Sequence, residues 1–420
     1  MHMNKVQTVL IGSTVLLSTL GLSTLAGCSG QGNYTRQGVS IAKERMGLLK
    51  SATEWELARQ AFLAGDLEKA IEKVDFSLSI NDTVVKSHVL KGRIQVEMGD
   101  LGNALQSFQT ASTLDPEDSD AQYYLGIIYE RLDDAERAYT HFENACLFDD
   151  YNPSYAVAAT EMLIDLGRIE EAKLYLSTIP MAKNNAGIRQ TLGHIALLER
   201  DPEAAVAYFD QARLLAPDDS GIVEDLVHAQ IMSGEFGDAE RNIARLLSKP
   251  ENEDRRDLKI LHAQTLSKTG RPVEARSIYQ EMLSESDGKS DVDSWIGMAN
   301  ASLMIGDMRT VRKAASRIVA IAPSSHEGYL LYAMYHRQAE DHSSSLASIN
   351  KALGFSPMDA GLYAFRAMIL RDLNHNAEAI ESLAHAVKLD PSNARYTQML
   401  AQFNDGSFAA VGTESDPISN

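Results

Sequence analysis

Side chains able to do chemistry are few in this chain, and their spacing suits none of the familiar reactions. Two cysteines, Cys28 and Cys146, make at most one bridge and cannot supply a disulfide framework or a four-thiolate zinc site. Cys146 follows Ala145 in a helical pattern and reads as a small buried apolar residue rather than a nucleophile. His141, His262 and His385 show no ligand spacing, and the acidic pairs Asp149-Asp150 and Asp218-Asp219 fall where helical hairpins end, a setting for solvated charge. No phosphate-cradling glycine loop, HExxH or Gly-x-Ser-x-Gly occurs. The sequence therefore predicts no catalytic residue, no metal site and no cofactor, and a protein that is not an enzyme.

The 420 residues are enough for two or three ordinary domains or for one elongated array. An apolar share of 44% and a charged share of 23% exclude wholesale disorder. A formal charge of -19 opposes binding to nucleic acid or to an anionic lipid surface, because phosphate contacts need cationic patches.

The N-terminus carries Lys5 and then an uncharged apolar run up to Gly27, the pattern of a secretory signal, although the run is also long enough for a retained membrane helix. Leu25-Ala26-Gly27-Cys28 resembles the lipobox of bacterial lipoproteins. That resemblance implies cleavage of residues 1–27 as a signal peptide and lipidation of Cys28, by a thioether-linked lipid and an amide-linked acyl chain such as palmitate. Several acyl chains anchor a protein stably where one binds marginally. Ser29 stands where an Asp would favour inner-membrane retention, so the resemblance favours the outer membrane, with the body in the periplasm or at the cell surface. The small polar residues 29–38 read as a flexible tether, within a 28–50 segment that ends in the start of the first helix.

The elements that must position any functional surface come from an internal repeat. A small residue recurs at Ala70, Ala104, Ala138, Ala172, Ala205, Ala239 and Ala275, continuing at Val311, Ser345 and Ala379, with spacings of 33 to 36. Around it sit Gly92, Gly99, Phe108, Ala111 and Pro116 in one unit, Leu125, Gly126, Tyr129, Phe142 and Ala145 in the next, and Leu192, Gly193, Phe209, Ala212 and Pro217 further on. These residues resemble the tetratricopeptide repeat (TPR). The resemblance implies an all-α fold, a right-handed α-solenoid (superhelix) of about ten helical hairpins over residues 51–393, with a C-terminal capping helix at 394–403 and a disordered tail at 404–420. Gly or Ala at the eighth position of each unit lets the two helices approach, and Gly65, Gly99, Gly167, Gly234, Gly270 and Gly306 fall at the turn inside the hairpin. Phe108, Phe142, Phe209 and Tyr279 are expected between one hairpin and the next, and Pro116, Pro217, Pro323, Pro357 and Pro391 stop second helices. Val311 with Ala315, and Ser345 with Ile349, depart from the pattern. The longer linkers 249–256 and 284–291 suggest hinges. In the last segment Tyr396, Met399, Leu400 and Phe403 share one helical face, as a capping helix requires.

By the same resemblance the first helix of each hairpin lines a concave groove. Its wall is then Val157, Glu161, Ile164, Asp165, His194, Leu197, Leu198, Glu224, His228, Ile231, Met232, Ile260, Ile296, Asn300, Leu303 and Met304, with Asp257, Asp293 and a single cation, Lys268, among them. Many of these apolar residues are equally suited to packing against neighbouring helices. His194 and His228 occupy equivalent positions about 10 Å apart, too far to share a metal, and read as solvated. Tyr329, Tyr332 and Tyr335 read mostly as hairpin core. The Lys and Asn pair with which some members clamp a C-terminal carboxylate is missing from every unit. Such a trough suits protein segments with apolar anchors and basic flanks, with the membrane touched through the Cys28 lipid only and no nucleic acid bound. In architecture the chain is similar to lipoproteins that help a secretin or pilus component assemble in type IV or tight-adherence (Tad-type) systems. Polysaccharide export, or a glycan-binding or enzymatic accessory role at the cell wall, are the alternatives.

Overall fold

The computed structural model describes residues 33–404 apart from 150, 151, 181, 286 and 287. The signal segment, Cys28 and the residues from 405 on lie outside the described residues. No described helix is long and apolar enough to cross a membrane. The described residues form helices and short turns with no strand, in two compact units that divide between Ile128 and Tyr129.

The first unit holds α1 (Asn33–Leu63) and α2 (Leu67–Ile80), then α3 (Val85–Glu97) and α4 (Leu101–Leu114), and most of α5 (Ser119–Arg131). The second continues with α6 (Ala135–Phe148), α7 (Pro153–Asp165), α8 (Ile169–Thr178), α9 (Ala186–Leu198), α10 (Pro202–Leu215), α11 (Ser220–Met232) and α12 (Phe236–Leu247). It ends with α13 (Arg256–Lys268), α14 (Pro272–Ser284), α15 (Val292–Ile305), α16 (Met308–Ile321), α17 (His326–Gln338), α18 (His342–Phe355), α19 (Ala360–Asp372), α20 (Asn376–Leu389) and α21 (Ala394–Asn404). Within each unit successive helices pair as antiparallel hairpins, α1 with α2 and α3 with α4 in the first, and α7 with α8 and onward to α19 with α20 in the second. The stretch expected as a flexible tether is helical from Asn33, since α1 runs back far beyond the first repeat.

Each hairpin turns by the same device. The first helix ends on a residue with positive φ, and the following N–H donates five residues back, as Asp66 does to the Ala61 carbonyl (2.9 Å) and Asp307 to that of Ser302 (2.9 Å). This is the Schellman closure, which satisfies otherwise orphaned carbonyls. Glycine supplies the left-handed residue at the six turns expected, but Asp133 (φ 58°), Arg200 (61°), Glu340 (59°) and Asn374 (64°) supply it at the other four. The next residue is Asp at 66, 100, 134, 201, 307 and 341, and its carboxylate caps the second helix by accepting from a backbone N–H within the first turn. Asp118, Asp219, Asp291 and Asp359 do the same for first helices. A cap of this kind is worth about 1 kcal/mol. Much of the acidity read from the sequence is therefore spent on starting helices.

The small-residue ladder is the tightest part of the core: Ala70, Ala104, Ala138, Ala172, Ala205, Ala239, Ala275, Val311, Ser345 and Ala379 are all fully buried. Ser345 is tolerated because its hydroxyl donates to the Ala333 carbonyl at 2.8 Å. Phe108 and Phe209 are not simply spacers between hairpins. Each lies on the glycine of its own first helix, Gly92 and Gly193, and Phe108 also stacks on Tyr124 of α5 (centroids 5.2 Å apart). Tyr279 does reach the following hairpin, where it covers Gly297.

The described residues of both longer linkers bond to their surroundings. In the first, the buried Asn252 amide donates to the Leu246 carbonyl (3.1 Å), and Lys249 Nζ reaches Ser220 Oγ (2.8 Å) and the Asp218 carbonyl (3.2 Å). In the second, Arg256 holds Glu285 (2.7 Å) and Asp291 (2.5 Å), while Trp295 Nε1 donates to the Lys289 carbonyl. These bonds brace the described residues of both linkers. At the C-terminal end, α21 buries Tyr396 and packs Met399, Leu400 and Phe403 against α20.

Candidate protein-binding groove

Within the second unit, first helices lie beside first helices: α7 contacts α9, α13 contacts α15, and α15 contacts α17. Side chains one repeat apart are therefore neighbours on a common wall. A chain of polar bonds runs along it. Asp225 on α11 accepts from Gln190 (2.7 Å) on α9 and lies 3.0 Å from His194 Nε2 on the same helix. Arg255 grips both oxygens of Glu224 (3.0 Å each) and also binds Asp257 (2.6 Å). Arg337 on α17 donates to Asp372 on α19 (2.7 Å).

These bonds change the reading of several wall residues. His194 is not freely solvated: it holds Asp225 and sits edge-on to the Phe209 ring (centroids 5.2 Å apart). Burial pushes the Asp225 carboxyl up, but the bonds from His194 and Gln190 outweigh it and hold the group below its ordinary range. Glu224 and Asp257 share Arg255, which leaves the three side chains one net negative charge.

Glu161 and Asp165 differ. They sit one turn apart on α7, with Glu130 of α5 close enough to act on Glu161. Partial desolvation and the like charges of Glu130 and Asp165 push the Glu161 carboxyl up, against a weaker pull from His194. The wall thus has an acidic end at which neither Glu161 nor Asp165 has an ion-pair partner among the described residues. No group of His, Cys, Asp and Glu among the described residues is arranged to hold a metal.

The apolar wall residues divide by exposure. Val157, Ile164, Leu197, Ile231, Ile260, Ile296 and Leu303 are half-buried and pack into the cores of neighbouring hairpins, the bland role open to them from the start. Leu198, Met232 and Met304 stand out at 57%, 59% and 57% exposure. All three stand two residues before the positive-φ residue of the turn, Arg200, Gly234 and Gly306, a position that Lys268 takes in the unit between Met232 and Met304. His228 and Asn300 are exposed on the same helices. The sequence alone could not separate packing residues from outward ones along these helices, because both share the helical period.

Other reactive groups are structural. Cys146 is buried, with its thiol pushed up by burial and 3.8 Å from the Asn152 carbonyl. His141 stacks on Tyr129, and Tyr329 stacks on Phe355. A glycan-processing site calls for paired carboxylates beside an aromatic platform. The cleft beside Trp295 holds one carboxylate, Asp307, which Arg276 already binds at 3.1 Å.

Stacked antiparallel hairpins with a small-residue seam and a left-handed turn define a helical-repeat solenoid. Two stretches match models of this repeat class: residues 92–133 a TPR repeat model and residues 360–393 a tetratricopeptide repeat model. Among curated proteins the chain is 32% identical over 104 residues to protein O-mannosyl-transferase TMTC1 of Mus musculus, covering 24% of this chain and 11% of that one. It is 27% identical over 174 residues to DnaJ homolog subfamily C member 7 of Mus musculus, covering 38% of this chain and 35% of that one. The matched stretches are well under two thirds of either relative. Similar solved structures include PilW, a type IV pilus biogenesis factor (16% identity, 47% of this chain and 93% of that one, TM-score 0.42). Another is YrrB, a TPR protein with an unusual peptide-binding site (18% identity, 47% and 97%, TM-score 0.37).

Proposed function

We propose that the chain is a lipid-anchored scaffold that binds segments of other proteins along its first-helix wall and holds them at the bacterial outer membrane, without catalysing a reaction. The observation that carries the binding surface is the row of exposed Leu198, Met232 and Met304 beside Glu161 and Asp165, which have no ion-pair partner among the described residues. Tetratricopeptide arrays bind protein segments, and a wall with apolar anchors and an acidic end favours an extended or helical segment with apolar residues and a basic flank. The anchor rests on the Leu25-Cys28 motif and Ser29. A tethered array of this kind fits assembly of a secretin or pilus component in a type IV or Tad-type system.

Two measurements test this reading. Cys28→Ala abolishes labelling by radioactive palmitate and leaves residues 1–27 uncleaved; undiminished labelling, or unchanged processing of the signal segment, overturns the anchor. A tag placed after residue 404 co-purifies a secretin or pilus component, and Leu198→Glu with Met232→Glu removes it. Undiminished recovery from the double variant overturns the binding wall.

A further inference from the structure

The second helices form the opposite side of the hairpins, and one of them breaks the charge balance of this acidic chain. α16 carries Arg309, Arg312, Lys313 and Arg317 and no acidic residue. All four are exposed, and their spacing places them on one outward stripe of the helix, opposite the buried Val311, Ala314, Ala315 and Ile318. None of the four has an ion-pair partner among the described residues. Arg312 lies over the Tyr335 ring (5.6 Å) and Lys313 over that of Trp295 (5.8 Å). The neighbouring second helix α18 also lacks acids and adds the exposed Lys351.

Beside this stripe a cleft of about 460 Å³ opens between α14 and α16, with α15 as its floor. Trp295 and Met298 form an almost buried apolar base, and Arg276, Gln280, Thr310 and Lys313 ring it. The one carboxylate in the cleft, Asp307, is occupied: it accepts from Arg276 and from Thr310 Oγ1 (2.7 Å). The rim therefore keeps a net positive charge above an apolar floor.

We propose that this face is a second docking site, for an acidic segment of a partner protein that inserts one large apolar side chain onto Trp295 and lays carboxylates along Arg309, Arg312, Lys313 and Arg317. Charge complementarity selects an acidic occupant. The cleft selects a peptide over a lipid surface, because a flat anionic membrane would use the stripe and leave the Trp295 floor empty. The site is independent of the first-helix wall, which favours basic flanks.

The test uses the chain from Cys28 on, with Cys28→Ser, and a fluorescein-labelled peptide of Asp and Glu around a single Phe. Saturable anisotropy is expected, weakening with salt and accompanied by a change in Trp295 emission in the Trp55→Phe background. Replacing the peptide Phe by Ala, or Lys313→Glu with Arg312→Glu in the protein, weakens binding by about tenfold or more. Arg309→Ser with Arg317→Ser, which touches no packing, weakens it in the same direction and guards against misfolding of the first variant. No saturable binding, equal affinity for the Ala peptide, or binding unmoved by both protein variants overturns the proposal. So does a Trp295 change with anionic phosphatidylglycerol vesicles but not with the peptide.

Discussion

A Cβ added to Gly193 would lie 2.5 Å from Cε1 of the fully buried Phe209, and one added to Gly92 would lie 2.6 Å from the ring of Phe108. The glycine on the first helix and the aromatic on the second are thus one fitted pair. Neither ring has room to retreat, so Gly193→Ala is expected to cost about 1–3 kcal/mol, the usual penalty for overpacking. In the Phe209→Leu background the same substitution costs clearly less. Urea unfolding of the four proteins measures the coupling, and strict additivity would break the pairing.

The four hairpin turns without glycine hold side chains in left-handed conformation, which costs an L-residue about 1–2 kcal/mol. Arg200→Gly and Glu340→Gly are expected to stabilise the chain by about 0.5–1 kcal/mol each, after the extra freedom gained by the unfolded state. Gly234→Ala, at φ 80°, is expected to act in the opposite sense. Thermal melts read both signs.

Two wall carboxylates should give opposite pH dependences. Asp225 has its folded pKa lowered, so its contribution is complete above the ordinary Asp value near 4 and is lost as pH falls below it. Asp225→Asn therefore destabilises by about 1 kcal/mol at neutral pH, with the gap closing toward acid. Glu161 has its folded pKa raised, so its ionised form weakens the fold, and stability falls as pH rises through its titration. Glu161→Gln is neutral in acid and stabilises by about 0.3 kcal/mol near pH 7, the scale of a like-charge helical pair. Stability curves across pH distinguish them.

The seam and the turns were legible in the sequence because alanines and glycines at fixed spacing have few other uses. The four non-glycine turns were hidden, since Asp133, Arg200, Glu340 and Asn374 look like ordinary surface residues until their φ is known. Acidity misled in part. Many aspartates cap helices, and Glu224 and Asp257 are bound by Arg255, which precedes α13 and belongs to no recognised repeat position. Glu161, Asp165 and Asp293 have no ion-pair partner among the described residues. The basic stripe of α16 lay in plain view, but its placement beside the Trp295 cleft required the packing of three helices.

The central claim is that partners bind along the first-helix wall. Photo-crosslinking amino acids placed singly at Leu198, Met232 and Met304, with controls at the equally exposed Leu174 of α8 and Leu214 of α10, test it in living cells. The account predicts a common crosslinked partner from the three wall positions and not from the controls. Crosslinks from the controls alone, or none from the wall in cells where the partner co-purifies, would contradict it.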